Sequence, residues 1–388
     1  MPLLNKFRNI ALLSKSYHMK PQINPLANCL VDLRSDTVTK PCIGMRQAMK
    51  EADVGDDVFQ EDKTVLVKLT PYSSVIKFPE LEQKMAEITQ KDDGLFVLSG
   101  TMGNLLSILS HCGRRGAEII VGNNSHIFTY EQANMAQEEL LSQRKVFICA
   151  VENSIPILLA KLLFGGVQPH TVETNSDGTF SIDALKSCIR VDDFHLPTTE
   201  LICLENTHGN LGGKALPLKW LDEVAEFAKY HGLPIHVDGA RIFNASIASQ
   251  VPVSQLLRVA DSTSICLSKG LGCPVGSVIV GNHQFIKRAR RLRKALGGAW
   301  RQGGILAAAG IYSLENNVAK LAKDHENARL IAKVNEEENE ALNQKISVLA
   351  LPFSSSHVRL VTHLGIGENE AKLALAKIQY VIEEYSRS

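Results

Sequence analysis

Lys269 lies in a run of small residues, Ser268-Lys269-Gly270-Leu271-Gly272-Cys273-Pro274, directly after the β-prone segment 262–267. A lysine presented at a strand tip among glycines is a poor solvated surface charge. Its amine is suited to forming a Schiff base with a carbonyl when its surroundings tune it. Upstream, the motif HVDGAR (236–241) ends a short apolar run at Asp238 and adds Arg241. An acid to keep a ring nitrogen protonated, a lysine for an aldehyde and an anion site for a phosphate are what pyridoxal phosphate requires of a protein. The anion site is offered by LSGTMGN (98–104), where an apolar segment (95–98) gives way to Gly100 and Thr101 and a helix starts near Met102. Free N–H groups at such a helix start favour an anion. His126, just beyond another strand-like segment (118–122), is a candidate to stack on a flat ring. Taken singly, each residue has an ordinary alternative: Asp238 a helix cap, Arg241 a salt bridge, His126 a structural histidine. The combination in this order is what points to chemistry.

These residues need elements to place them. Asp238 precedes Lys269 by 31 residues, enough for a strand–helix–strand crossover that sets both at neighbouring strand tips. Segments 95–98, 118–122, 201–204, 235–237 and 262–267 read as strands, most of them ending in polar or small residues. Between the fourth and third of these, residues 220–231 form an amphipathic helix stopped by Gly232 and Pro234. The pattern predicts an α/β fold with a mostly parallel sheet and ligands at the carboxyl ends of its strands. A helix is expected to open at Pro41, a short one over 80–90, and a long helical region over 304–343. A small C-terminal α+β unit should follow, with a strand at HVRLVTH (357–363) and a final helix over 368–385. The expected organisation is an N-terminal extension (1–30), a large cofactor-binding domain (31–305), and a bridging helix with a shortened small domain (306–388).

Composition narrows the class. With 42 Lys and Arg against 41 Asp and Glu, the net charge of +1 gives no global field for nucleic acid. The eight cysteines are scattered without a C-x-x-C pair, which reads as buried thiols in a reducing compartment, with no metal site. A zinc-type centre on His236 and Asp238 lacks a third ligand at suitable spacing. The longest apolar run is interrupted by Lys161 and too short to span a membrane. Residues 1–31 carry four Lys or Arg and no acid, which suits either a mitochondrial targeting segment or a disordered extension; the compartment expected is cytoplasmic or mitochondrial.

DLRSDTVTKP, GDDVFQED, LFVLSGTMGNL, HIFTYEQ, ENTHGNLGGKALPL, HVDGAR, SKGLGCPVGS, LRKALGGAWRQ and VRLVTHLGI together span residues 32 to about 365. In combination they resemble the low-specificity threonine aldolases, pyridoxal-phosphate enzymes of the aspartate aminotransferase fold. The resemblance implies Lys269 as the Schiff-base lysine, Asp238 at the pyridine nitrogen, His126 on the ring, and Gly100 and Thr101 at the phosphate. It implies Ser35 and Arg241 in contact with substrate or cofactor and Arg359 at the substrate carboxylate. His208 and Tyr130 match residues near the β-hydroxyl or in a neighbouring subunit's share of the site, and Arg301 a further cofactor-side arginine. The implied reaction is retro-aldol cleavage of threonine or allo-threonine to glycine and acetaldehyde by a homo-oligomer, a dimer or tetramer with shared sites. The base that takes the hydroxyl proton could be His208, His126 or water.

The chain departs from the family pattern in three places. About 14 residues are added over 66–79, about 25 over 138–163, and the segment before HVRLVTH is short. Two other readings follow: another lyase of the same fold, performing β-elimination, and a catalytically impaired homologue that serves as a binding partner.

Overall fold

A computed structural model describes residues 29–59, 61–62, 64, 81–132, 134–136, 166–190, 193–332, 346–353 and 357–386. Both added segments and the N-terminal extension up to residue 28 lie outside the described residues.

Along the chain come β1 (Cys29–Asp32), α1 (Ile43–Lys50), α2 (Leu81–Thr89), β2 (Asp93–Val97), α3 (Gly100–His111), β3 (Ala117–Gly122) and the one-turn α4 (His126–Thr129). Next are β4 (Gln168–Val172), α5 (Ile182–Cys188), β5 (Thr198–Glu205), α6 (Leu218–His231), β6 (Ile235–Asp238), α7 (Ile242–Ser249) and α8 (Val253–Leu256). Then follow β7 (Ser262–Cys266), β8 (Ser277–Gly281), α9 (His283–Ala295), α10 (Gly304–Asn316) and α11 (Leu321–Ala332). The chain closes with β9 (Ile346–Leu349), β10 (Leu351–Pro352), β11 (Val358–Arg359) and α12 (Glu368–Ser386). Among the described residues no helix is long and apolar enough to cross a membrane.

The chain divides into two compact units. The larger holds Ile43–Ser268 and Val275–Tyr312. Its sheet has seven strands in the order β2-β8-β7-β6-β5-β3-β4, parallel except for β8, which runs against both neighbours. β3, β7 and β8 are buried along their whole length, as strands covered on both faces must be, so they read without polar/apolar alternation; the one charge among them, Glu118 on β3, is met by His170 and Arg190. Helix α3 feeds two cores at once. Its Leu106 packs with Leu95, Val97, Ile279 and Phe285, and its Ile108 with Ile119, Val121, Leu201 and Cys203. Strands β6 and β7 are hydrogen-bonded neighbours joined through α7 and α8, the crossover expected from the spacing of Asp238 and Lys269.

The acidic loop GDDVFQED is an anchor. Asp57 Oδ2 pairs with Arg293 Nη2 at 2.5 Å, both side chains nearly inaccessible. Asp62 Oδ2 accepts from the Gly304 N–H at 2.7 Å and so caps α10. Asp56 Oδ1 accepts from the Val58 N–H at 2.8 Å. Carboxylates placed to satisfy donors, those of Arg293 and Gly304 buried and that of Val58 exposed, explain why so many acids sit around Val58 and Phe59.

The smaller unit holds the residues up to Cys42, Lys269–Pro274, and Ser313 onward. β1 pairs in parallel with β9, Cys29 opposite Ile346. Val31, Leu33, Ile331, Ile366, Ala371 and Ala374 form its core, drawn from β1, α11, α12 and the segment before α12. Two expectations are corrected here. The strand over 357–363 is only Val358–Arg359, paired with Leu351–Pro352; beyond it Val361 N–H donates to Leu33 O at 2.8 Å without continuing a ladder. The helical region from 304 is broken by turns after Asn316. Asn317 spends its side chain on Leu271 O at 2.9 Å, and an asparagine with such a partner favours a turn over a helix interior.

Candidate active site at the strand ends

Four strand ends of the larger unit carry the polar residues. After β2, Ser99 caps α3, its Oγ accepting from Met102 N–H at 3.1 Å. Gly100 must be a glycine: a Cβ there would lie 2.7 Å from Cys266 Sγ on β7. No acidic residue occupies the first turn of α3, so its N–H groups and dipole are left for an outside anion. Thr101 is exposed, and the Ser277 hydroxyl near Gly100 is buried with no partner.

β6 ends in Asp238, 3% exposed. Its Oδ1 accepts from Ala240 N–H at 3.1 Å and its Oδ2 from Asn104 Nδ2 at 3.0 Å. The same Asn104 Nδ2 donates to Glu131 Oε1 at 2.8 Å, and His126 Nδ1 lies 3.0 Å from that oxygen. His126, Glu131 and Asp238 thus bring one polar atom each within 4.8 Å of one another. Their donor types would also suit a cation, but the Asn104 amide hydrogens point at both carboxylates, which disfavours one there. Burial, opposed by the His126 hydrogen bond, raises the pKa of Glu131.

β5 ends in Glu205 and is followed by Asn206, Thr207 and His208, all buried. Glu205 Oε2 accepts from the His126 N–H and Oε1 from the Gly209 N–H, both at 2.7 Å, so one carboxyl ties together the backbones that carry His126 and His208. Burial, helped by the charge of Asp238, pushes the Glu205 carboxyl up to about 7. His208 Nε2 lies 4.0 Å from Glu205 Oε2, its Nδ1 has no partner, and burial lowers its pKa.

The structure therefore gathers Asp238, His126, Gly100 and His208 at strand or helix ends of one sheet. Arg241 precedes α7, three residues past Asp238. Tyr130 is half-exposed with its ring 5.6 Å from that of His126. Arg301 makes a 3.6 Å ion pair with Asp56, and its carbonyl accepts from Asp57 N–H at 2.8 Å. Lys269, Ser35 and Arg359 belong to the smaller unit. Lys269 opens a turn closed by Gly272 N–H to Lys269 O at 2.8 Å, with Gly272 at φ +77. Ser35 accepts from Thr37 N–H and begins a 3-10 turn, and Arg359 sits in β11. Asn104, Glu131 and Glu205 are the residues that sequence reasoning did not single out. The signal for Asn104 was an amide in the first turns of α3, close to the Gly100–Thr101 anion site.

A family model described as beta-eliminating lyase matches residues 32–151 and 159–348. The chain belongs to this family. It is 41% identical over 360 residues to low-specificity L-threonine aldolase 1 of Arabidopsis thaliana, covering 91% of this chain and 86% of that relative. It is 39% identical over 362 residues to the low specificity L-threonine aldolase of Escherichia coli K12, covering 88% and 96%. The solved structure of Leishmania major threonine aldolase aligns with a TM-score of 0.67 at 16% identity, covering 91% of this chain and all but 1% of that one. That likeness establishes the fold as the one expected from the strand–helix pattern. The family membership matches the resemblance carried by the motifs.

Proposed function

We propose that the chain cleaves L-threonine and L-allo-threonine, and related β-hydroxy amino acids, to glycine and an aldehyde with pyridoxal phosphate as cofactor. The observation that carries this is the Asn104–Asp238 hydrogen bond, which sets a buried carboxylate one helical turn from the start of α3. An acid for a ring nitrogen and an anion site for a phosphate are thereby held by one helix. The fit is supported by the missing acid in the first turn of α3 and by the unpartnered Ser277 hydroxyl beside Gly100.

When bound, pyridoxal phosphate supplies the electron sink for the carbon left as Cα–Cβ breaks. Lys269 would hold its aldehyde carbon, Asp238 the proton on its ring nitrogen, His126 a face of the ring, and Gly100 and Thr101 its phosphate. Arg359 would bind the substrate carboxylate, with Ser35 and Arg241 contacting substrate or cofactor and Arg301 on the cofactor side. The β-hydroxyl must lose its proton for the bond to break. His126 and His208 are the imidazoles at these strand ends, with Tyr130 beside the first. Glu205 holds the two imidazole-bearing loops in register through their backbone N–H groups.

We place this chemistry in a homo-oligomer. Ile43, Val54, Val58 and Phe59 are exposed apolar residues on α1 and around the acidic loop, a set that a second copy would cover. Sedimentation velocity should show a species larger than 42.5 kDa.

The test is product analysis of the purified protein loaded with pyridoxal phosphate. Glycine and acetaldehyde are expected from at least one threonine diastereomer, with Lys269→Ala lowering turnover more than a thousandfold. 2-Oxobutyrate and ammonia would instead favour β-elimination, the reading that the family description carries. A loaded protein that releases neither pair refutes the proposal.

A further inference from the structure

A continuous chain of buried hydrogen bonds runs beneath the site. His111 Nε2 lies 2.8 Å from Ser262 Oγ, and Ser262 Oγ lies 2.9 Å from His236 Nδ1. His236 Nε2 lies 3.1 Å from Asn104 Oδ1. Asn104 Nδ2 reaches Glu131 Oε1 and Asp238 Oδ2, and Glu131 Oε1 reaches His126 Nδ1.

With the Asn104 amide nitrogen toward the two carboxyls and its oxygen toward His236, the donor and acceptor inventory sets the direction of each link. His236 is fully buried and neutral, its pKa pushed down to about 3 by burial and by neighbouring His111. A neutral imidazole donates from one nitrogen. An amide oxygen only accepts, so the hydrogen is on His236 Nε2. His236 Nδ1 then accepts the Ser262 hydroxyl hydrogen, and the Ser262 oxygen, with its hydrogen spent, accepts from His111 Nε2. The opposite arrangement turns the Asn104 carbonyl oxygen onto two carboxyl groups, a repulsive contact in a buried site. The hydroxyl oxygen of a carboxylic acid is a weak acceptor, so the Glu131 oxygen that takes the Asn104 hydrogen carries none of its own. It accepts from His126 Nδ1 as well. Glu131 Oε2, buried and unpartnered, is the atom left for a proton when this carboxyl is neutral.

We infer that Asn104 is a positioning residue: held by His236, its amide clamps Asp238 and Glu131 with one hydrogen each, and through Glu131 sets His126 in the Nδ1–H form. The clamp is a property of the apoprotein. Its effect on cofactor, aiming the Asp238 carboxyl at the ring nitrogen, rests on the pyridoxal-phosphate reading.

The apoprotein labelled with ¹⁵N-histidine tests the clamp through two-bond proton–nitrogen correlations at pH 8. His236 and His111 should be neutral with the hydrogen on Nε2, and His126 neutral with it on Nδ1. Finding His236 with its hydrogen on Nδ1 overturns the proposal. The second measurement is pyridoxal phosphate affinity of apo Asn104→Leu at pH 8, read together with its His126 tautomer. Asp238 is faced by Glu131, His126 and Asn104. With the Asn104 amide gone, Asp238 Oδ2 and Glu131 Oε1 each lose a donor, so affinity should fall about tenfold or more and His126 should leave the Nδ1–H form. A loss of affinity with the His126 tautomer unchanged would mean Asn104 only fills space, and overturns the clamp. Ser262→Ala leaves the His236–Asn104 bond intact and should stay within threefold of the parent. If the tautomers are as stated yet the protein takes up no pyridoxal phosphate, the clamp stands and the functional reading falls.

Discussion

His236 and His111 are neutral bases in the folded chain, His236 with a pKa near 3 and His111 lowered by burial to about 4, against an ordinary value of 6.5. Unfolding frees both to bind protons. Between pH 6.5 and about 4 the unfolded chain holds more protons, so stability present above pH 6.5 is lost as the pH falls through this window. Glu205 acts in the opposite sense. Its carboxyl, raised from 4.5 to about 7, contributes stability that is full below pH 4.5 and lost as the pH rises through 7. Thermal melts of His111→Gln, which keeps a side-chain donor for Ser262, should show a shallower loss of midpoint from pH 6.5 to 4 than the parent. Glu205→Gln replaces one accepting oxygen with a donor facing a backbone N–H. It should lower stability by about 1–3 kcal/mol through the unpaired group, read by denaturant titration at pH 8. At this scale the sequence singles out Asp238 and His126, which the structure brings into one hydrogen-bonded group, because acids and imidazoles at strand ends are uncommon unless they have a task; Lys269 stands out among glycines in the same way, and its role is part of the proposal. Asn104 and Glu131 were not legible, because an amide inside a helix and an acid in a loop have many ordinary uses, and only their shared contact with Asp238 gives them meaning.

Helix α3 shows how close packing constrains an element that also presents its N-terminus. A Cβ on Gly103 would run into Ser264 Oγ on β7. Gly103→Ala should therefore cost about 1–3 kcal/mol despite the better helix propensity of alanine. Ser99→Ala removes the cap on Met102 N–H and should cost about 1 kcal/mol. Paired denaturant curves would separate the two from any loss of cofactor affinity. Asp57→Ala leaves the buried Arg293 without its paired carboxylate, and a loss of about 3–5 kcal/mol is expected. Strands 262–266 and 235–238 were readable, the first as a β-prone segment and the second as a short segment ending at Asp238, but the reversed direction of β8 was not, since a buried apolar run looks the same whichever way it runs. The break after Asn316 was hidden because Ala, Leu, Lys and Glu on both sides sustain helical propensity across it, while the Asn317 contact that stops the helix is tertiary.

At the scale of the whole molecule, the smaller unit is assembled from three stretches of sequence. No composition shift marks this, which is why a linear reading attaches the chain after the N-terminal extension to the large domain. Leu33, fully buried in the smaller core, offers a direct check. Leu33→Ala should cost about 2–5 kcal/mol and expose that unit to protease cleavage first. The parallel pairing of Cys29 with Ile346 has one more consequence, for synthesis. The first strand leaves the ribosome roughly 300 residues before its partner exists. At about 5–20 residues per second, that is a wait on the order of 15–60 s. Through that interval Val31 and Leu33 are apolar side chains on an unpaired edge. The nascent N-terminal arm is thus a client for chaperones, and its rescue comes only with the last part of the chain.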